Sequence, residues 1–265
     1  MKSRHLFHYL CALLLLLAAC DNIDEDERYI YVKPAAVQRT VLIEDFTGQG
    51  CVNCPKATEV ITQLEEQYPD GVIAVAIHCG PFARSATGTR YPLGTDEGDA
   101  YYQHWNFDRQ PIGMVNRQGL SDYTDWTALV HKMVQLTAPL SIAVQADADP
   151  DIRQLNVVAT IMAIDGNVGA NLQLWLVEDG IVNAQYMPDG SVNRAYVHNH
   201  VLRRAINGTW GEQVTLGEGQ TATIDHSITL AEGWNMEHLR VVAFVYDNTG
   251  VLQAAQTNVN IPENE

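Results

Sequence analysis

The chain has 265 residues, with 32 Asp and Glu against 16 Lys and Arg, for a formal net charge of -16. So large an acid excess, with no basic patch anywhere along the chain, argues against nucleic acid as a partner. The length suits one or two domains and buries ample cores without a disulfide framework.

The first twenty residues read as a targeting signal. Lys2 and Arg4 form a positive start, and Leu10 to Ala19 is an apolar run too short to span a bilayer as a mature helix. Leu17-Ala18-Ala19-Cys20 has Leu where an ordinary signal-peptidase site wants a small residue, and it looks instead like a bacterial lipobox. Residues 1–19 are therefore expected to be a lipoprotein signal peptide. Cys20 is expected to be acylated, holding the protein on a membrane without spanning it. Asp21 to Glu27 continues as an acidic run, and 20–38 is expected to be a solvated tether. The run also resembles the acidic surface-export signal that follows the lipidated cysteine in Bacteroidetes lipoproteins.

Tyr29 to Val32 is expected to start the fold as a first strand; Val41 to Phe46, bounded by Gly48 and Gly50, has the pattern of a strand buried on both faces. Val60, Ile61, Leu64 and Tyr68 then recur at helical spacing, and Pro55 suits a first helical turn because its missing N–H has no partner there anyway. Cys51 and Cys54 thus fall where a strand turns into a helix. The free N–H groups and the dipole at such a terminus stabilise a thiolate.

Gly71 to His78 is a second buried run, so strand, helix and strand predict a parallel unit with a right-handed crossover. Gly80 to Asn106 reads as an insertion with a short helix around Ala100-Tyr101 and His104-Trp105. Met114 to Asn116 is a further strand, and Trp126, Leu129, Val130 and Met133 mark a closing amphipathic helix. Beyond Leu136 the pattern changes to short strand-like runs: Ser141 to Gln145, Leu155 to Ile164, Leu172 to Val177, Val197 to Ala205, Thr221 to Leu230, Val241 to Tyr246 and Val251 to Ala255. About seven such runs, separated by turn signals, predict an all-β immunoglobulin-like sandwich. The expected organisation is an α/β domain over 39–137 followed by a sandwich over 138–265.

Asp45-Phe46 ahead of Cys51-x-x-Cys54 resembles the active-site strand and turn of the thioredoxin superfamily. Glu44 to Gly48 with Cys51-Val52-Asn53-Cys54-Pro55 resembles, more specifically, the 28-kilodalton outer-membrane protein (Omp) family of Bacteroidetes lipoproteins. Gln110-Pro111-Ile112-Gly113-Met114-Val115-Asn116-Arg117, Tyr196-Val197-His198-Asn199-His200-Val201-Leu202-Arg203 and the leader agree with it. The resemblance implies a thioredoxin-like first domain, in which Cys51 is the exposed attacking thiol and Cys54 the resolving one. It also implies that Asp45 is the buried acid that exchanges a proton with Cys54, and that Pro111 is a cis-proline facing the pair. Gly50 stands where thioredoxins carry Trp, and Val52-Asn53 replaces their Gly-Pro, so no reactivity carries over.

Of five cysteines, Cys11 leaves with the leader and Cys20 is acylated, so Cys51, Cys54 and Cys79 remain. One pair plus one leftover is the simplest arithmetic, with Cys51 and Cys54 as the disulfide. The pair is then redox-active, an inert disulfide or part of a soft-metal site. Alternation along a strand sends His78 and Cys79 to opposite faces, and Cys79 reads as a small buried residue. His198 and His200 share a face if they lie on one strand, as a polar stripe or a metal pair. Asp147, Asp149 and Asp151 read as turn formers.

The expected function is an outer-membrane lipoprotein, on the periplasmic or cell-surface face, that acts as a thiol–disulfide oxidoreductase on thiols or disulfides of envelope proteins. No cofactor and no metal are implied. The alternative is a non-catalytic surface binding or structural lipoprotein with an inert disulfide.

Overall fold

A computed structural model describes residues 33–262; the expected signal peptide, Cys20 and the strand expected at Tyr29 to Val32 lie outside the described residues. In chain order the elements are β1 (Val37–Gln38), β2 (Val41–Thr47), α1 (Cys54–Gln67), β3 (Val72–His78), α2 (Asp96–Trp105), β4 (Ile112–Val115), β5 (Leu120–Ser121), α3 (Trp126–Met133) and β6 (Thr137–Ala138). There follow β7 (Leu140–Asp149), β8 (Gln154–Ala163), β9 (Val168–Glu178), β10 (Ile181–Tyr186), β11 (Val192–His198) and β12 (Val201–Ala205). The last four are β13 (Glu212–Leu216), β14 (Thr221–Thr229), β15 (Leu239–Asp247) and β16 (Gly250–Asn258). The protein is mostly β, with several sheets and few helices.

Every residue of β2 is buried, as its unbroken apolar run requires. It pairs in parallel with β3, from Val41 against Val72 to Thr47 against His78, and antiparallel with β4. Helix α1 crosses between β2 and β3, burying Ala57, Ile61 and Leu64 against Val41, Ile43 and Ala74, with Trp126 and Val130 of α3 completing that core. Helix α2 is capped by the Thr95 hydroxyl, which accepts from the Gly98 N–H at 3.0 Å, and three acids occupy its first turn.

The sheet does not end at β3. Its nine strands run β16-β15-β9-β12-β3-β2-β4-β5, with β13 also pairing β9. Strand β12 makes the join: Val201 pairs in parallel with Ala76 of β3, and the Ala76 N–H donates to the His200 carbonyl at 2.7 Å. Strands from both sides of the expected 137/138 boundary therefore share one sheet, and from Pro34 onward the chain is a single compact unit. Alternation along β9 serves both faces. Leu172, Leu174 and Leu176 pack towards the three-stranded sheet β14-β8-β7, while Trp175 and Val177 join Phe46, Tyr101 and Phe244 on the other side.

Three details differ from the sequence reading. Val37–Gln38, inside the expected tether, pairs with β6. The run Val197 to Ala205 is not one strand: it breaks at Asn199-His200, where His200 takes a left-handed φ of 61°. Strands β10 and β13 are only 6 and 5 residues long, and the sequence reading did not include them.

Glu44, in the middle of β2, is buried and meets the equally buried Arg117, whose Nη2 lies 3.0 Å from Oε1. The Arg117 guanidinium also lies over the Tyr246 and Phe244 rings, at 4.2 and 4.8 Å from their centroids. Burial works against the Arg117 charge, but Glu44 overrides it and its pKa is raised. The pair fastens β2 to β15 across the sheet.

Candidate disulfide site beneath a β-arm

The turn from β2 into α1 is built by backbone contacts. The Cys51 N–H donates to the Gly48 carbonyl at 3.0 Å, and the Gly50 N–H donates to the Phe82 carbonyl at 2.9 Å. Gly48 allows this approach, because a Cβ there would lie 2.4 Å from the Phe82 carbonyl carbon. Cys51 and Cys54 form a disulfide with their Cα atoms 5.4 Å apart, Cys54 opening the helix and Pro55 in its first turn. The Gln110–Pro111 bond is cis, and the Gln110 Nε2 donates to the Thr47 carbonyl at 3.0 Å.

Cys51 is not exposed. It is 2% accessible and Cys54 1%, which corrects the expectation of an exposed attacking thiol. The cover is β10 and β11, an antiparallel two-stranded arm that belongs to neither large sheet. The arm extends the β9–β12 ladder beyond the pair Glu178–Val201, after a break at Asp179-Gly180 and Asn199-His200. Gly180 there has φ 70°, and its N–H donates to the Asn199 Oδ1 at 2.9 Å. From the arm, the buried Gln185 Nε2 donates to the Cys51 carbonyl at 2.9 Å. The Tyr186 N–H donates to the Gln49 carbonyl at 2.9 Å, and the Gln49 Nε2 donates to the Ala184 carbonyl at 2.9 Å and the Asn183 Oδ1 at 3.0 Å. The turn and the arm thus hold each other through one main-chain bond and the side chains of Gln49 and Gln185.

Beneath the disulfide is a cavity of about 20 Å³ lined by Asp45, Cys54, His78, Tyr196 and His198 among others. Asp45 is fully buried, which raises its carboxyl to about 8, so at neutral pH it carries a proton. Its Oδ1 has no hydrogen-bond partner. His78, from the end of β3, and His198, from the end of β11, stand edge to face with ring centroids 5.3 Å apart. Burial lowers both imidazoles, His198 to about 4 and His78 well below the ordinary value, so both are neutral at pH 7. Tyr196 is raised by burial, and its hydroxyl bonds with Thr58.

Cys79 faces the other way, as strand alternation predicted. It is free and buried in the core with Phe46 and Tyr101, and burial raises its thiol well above the ordinary value. His198 and His200 do not share a surroundings: His200 lies in the left-handed turn, with Nε2 3.2 Å from Glu65 Oε2. Asp149 forms a turn, its Oδ1 accepting from the Asp151 N–H at 2.9 Å. Among the described residues no three His, Cys, Asp or Glu side chains are placed to hold a metal ion, and no helix is long and apolar enough to cross a membrane. A larger open groove of about 490 Å³ lies elsewhere, by Arg90, Arg203, Arg204 and Trp234, with Arg90 paired to Asp96 at 2.7 Å and Arg203 to Glu178 at 3.3 Å.

Gln185 and Tyr196 are site residues that sequence reasoning missed, and His198 was named only as half of a pair with His200. The Tyr196 to Arg203 motif covers Tyr196 and His198 but placed neither at the disulfide, and nothing in the sequence marked Gln185.

Among solved structures, the fold is similar to HBP35 of Porphyromonas gingivalis, with a TM-score of 0.66 at 16% identity over 85% of this chain and 77% of that one. It is also similar to a protein of Agrobacterium tumefaciens, with a TM-score of 0.54 at 15% identity over 88% of this chain and 99% of that one. A domain of the outer membrane lipoprotein Omp28 from Porphyromonas gingivalis aligns at 24% identity over 48% of this chain and 92% of that domain, with a TM-score of 0.35. No curated protein matches the sequence. The family model described as outer membrane protein Omp28 matches residues 98–263, a span that takes in Pro111, the arm, the three-stranded sheet and all of the nine-stranded sheet except β2 and β3, and begins after Asp45, Cys51 and Cys54. By that match the chain belongs to the Omp28 family of outer-membrane proteins.

Proposed function

We propose that the protein is an outer-membrane lipoprotein, held by acylated Cys20, that performs thiol–disulfide exchange on envelope proteins through Cys51 and Cys54. In this reading residues 39–137 are a thioredoxin-like unit, and residues 138–265 are an immunoglobulin-like unit that supplies the arm. The observation that carries it is Asp45, a buried carboxyl whose Oδ1 has no hydrogen-bond partner and which lines the same cavity as Cys54. Burying such a group costs stability and calls for a purpose. A substrate thiolate attacks the Cys51 sulfur, a mixed disulfide forms, and the S–S bond breaks with both its electrons going to Cys54. Asp45, protonated below about pH 8, supplies the proton that turns the Cys54 thiolate into a thiol. A second substrate thiolate then attacks the mixed disulfide and releases Cys51, so a dithiol is oxidised and the protein pair reduced. The arm must lift for the first attack.

The second reading is an inert disulfide in a surface binding or structural lipoprotein, and the 2% exposure of Cys51 favours it. Incubating the oxidised protein with a reduced peptide dithiol separates the two. Peptide disulfide should accumulate with the parent and not with Cys51→Ser; equal rates would leave the inert reading. For the anchor, Cys20→Ala should move the protein from the membrane to the soluble fraction, and retention after a salt wash would remove Cys20 from the account.

A further inference from the structure

The cavity under the disulfide collects three buried polar atoms that lack a protein partner: Asp45 Oδ1, His78 Nδ1 and His198 Nε2. Orphaned buried polar atoms are uncommon in folded proteins, and three on one small cavity need an explanation. A cavity of about 20 Å³ admits a single water, which requires about 10–15 Å³ of such space and two to four polar partners. The donors are not spaced for a metal ion.

The hydrogen count selects one arrangement. The backbone carbonyls of Asn183 and Ala184 favour a proton on the His198 ring, and Nε2 has no protein partner; with the proton on the other ring nitrogen, Nε2 is left as an acceptor. His78 with its proton on Nε2 likewise presents Nδ1 as an acceptor. One water has two hydrogens to donate and accepts at least one. It satisfies both imidazoles and the carboxyl together if Asp45 donates its own proton. An ionised Asp45 would leave three acceptors competing for two hydrogens.

We propose that Asp45, His78 and His198 bind one water beneath the disulfide, and that the two imidazoles are positioning residues that keep the proton on Asp45. The charged and titratable groups around this water are Asp45 from β2, Cys54 from α1, His78 from β3, and Tyr196 and His198 from the arm. Arg203 of β12 acts on His78 and Glu59 of α1 on Tyr196 through space. Since His198 arrives with the arm, the site is complete only while the arm is closed.

The test is the Asp45 titration in the oxidised full chain, followed by its carboxyl carbon resonance. A hydrogen bond that favours the neutral acid raises its pKa, so removing either acceptor lowers it. His198→Phe and His78→Phe should each weaken proton binding at Asp45 about tenfold, one pH unit. His198→Gln, which keeps an acceptor, should recover part of the loss. Protection of the Tyr186 amide from exchange establishes that the arm stays closed in each variant. An unchanged or raised Asp45 pKa with the arm closed overturns the proposal. A crystal structure of the parent with no water within hydrogen-bond distance of the three atoms overturns it without any variant. A water found there, and a pKa that falls as expected, in a protein that fails to oxidise a dithiol, would sink the exchange reading and leave the water site standing.

Discussion

Replacing Asp45 with Asn should make the protein more stable, by an amount that depends on pH. The folded carboxyl titrates at about 8 against 3.8 in the unfolded chain, because burial disfavours its charge. Between those values the folded state binds one more proton than the unfolded state, so stability falls as pH rises from near 4 and levels off above about 8. Each pH unit in that window is worth about 1.4 kcal/mol. From pH 4 to pH 7 the parent therefore loses roughly 4 kcal/mol that an amide, which does not titrate, keeps. Burying the amide adds a cost of about 1–3 kcal/mol, but that cost is the same at every pH and cancels from the comparison. Urea unfolding of the oxidised parent and Asp45→Asn at half-unit steps from pH 4 to pH 8 measures the difference. The two curves should diverge by roughly 4 kcal/mol on the way to pH 7. Curves that stay parallel would mean that Asp45 is ionised in the fold, and the proton assigned to it would have to be given up.

Gln185→Ala removes the side chain that donates to the Cys51 carbonyl and should speed reduction of the disulfide by a water-soluble phosphine several-fold; an unchanged rate would mean that the arm is not what limits access. Arg117→Met leaves Glu44 buried and unpaired, and chemical denaturation should show a loss of about 3–5 kcal/mol at neutral pH, with a loss under 1 kcal/mol counting against the pair. A fragment of residues 34–137 should fail to fold, because β3 then loses its β12 neighbour and the Phe46 core loses Trp175 and Phe244; a cooperative unfolding transition in that fragment would contradict the shared sheet.

What the sequence disclosed was local. The buried run of β2, the helical spacing after Pro55 and the opposite facing of His78 and Cys79 follow from periodicities of a few residues, and the structure has all three. The single turn at Asn199-His200 was hidden inside a run read as one strand, and missing it merged β11 with β12 and concealed the arm. The burial of Cys51 had no local signal at all, because Gln185 is 134 residues away and nothing in Ile181-Val-Asn-Ala-Gln-Tyr186 marks a strand that covers another site. Likewise the α/β pattern and the run of short strands read as two units, whereas the single Val201–Ala76 pairing that carries the sheet across depends on tertiary position.

The late arrival of β16 sets an order of events during synthesis. The backbone N–H of Thr40 donates to the Gln253 side chain, and the Val251 N–H donates to the Asn116 carbonyl, each at 2.8 Å. These contacts join positions more than a hundred residues apart, and contacts of such range form slowly. A chain that emerges N-terminus first therefore presents Cys51 and Cys54 well before Gln185 exists to cover them and before Gln253 exists to brace β2. In that interval the two thiols stand uncovered to any oxidant, whereas reduction of the finished pair must first displace the arm.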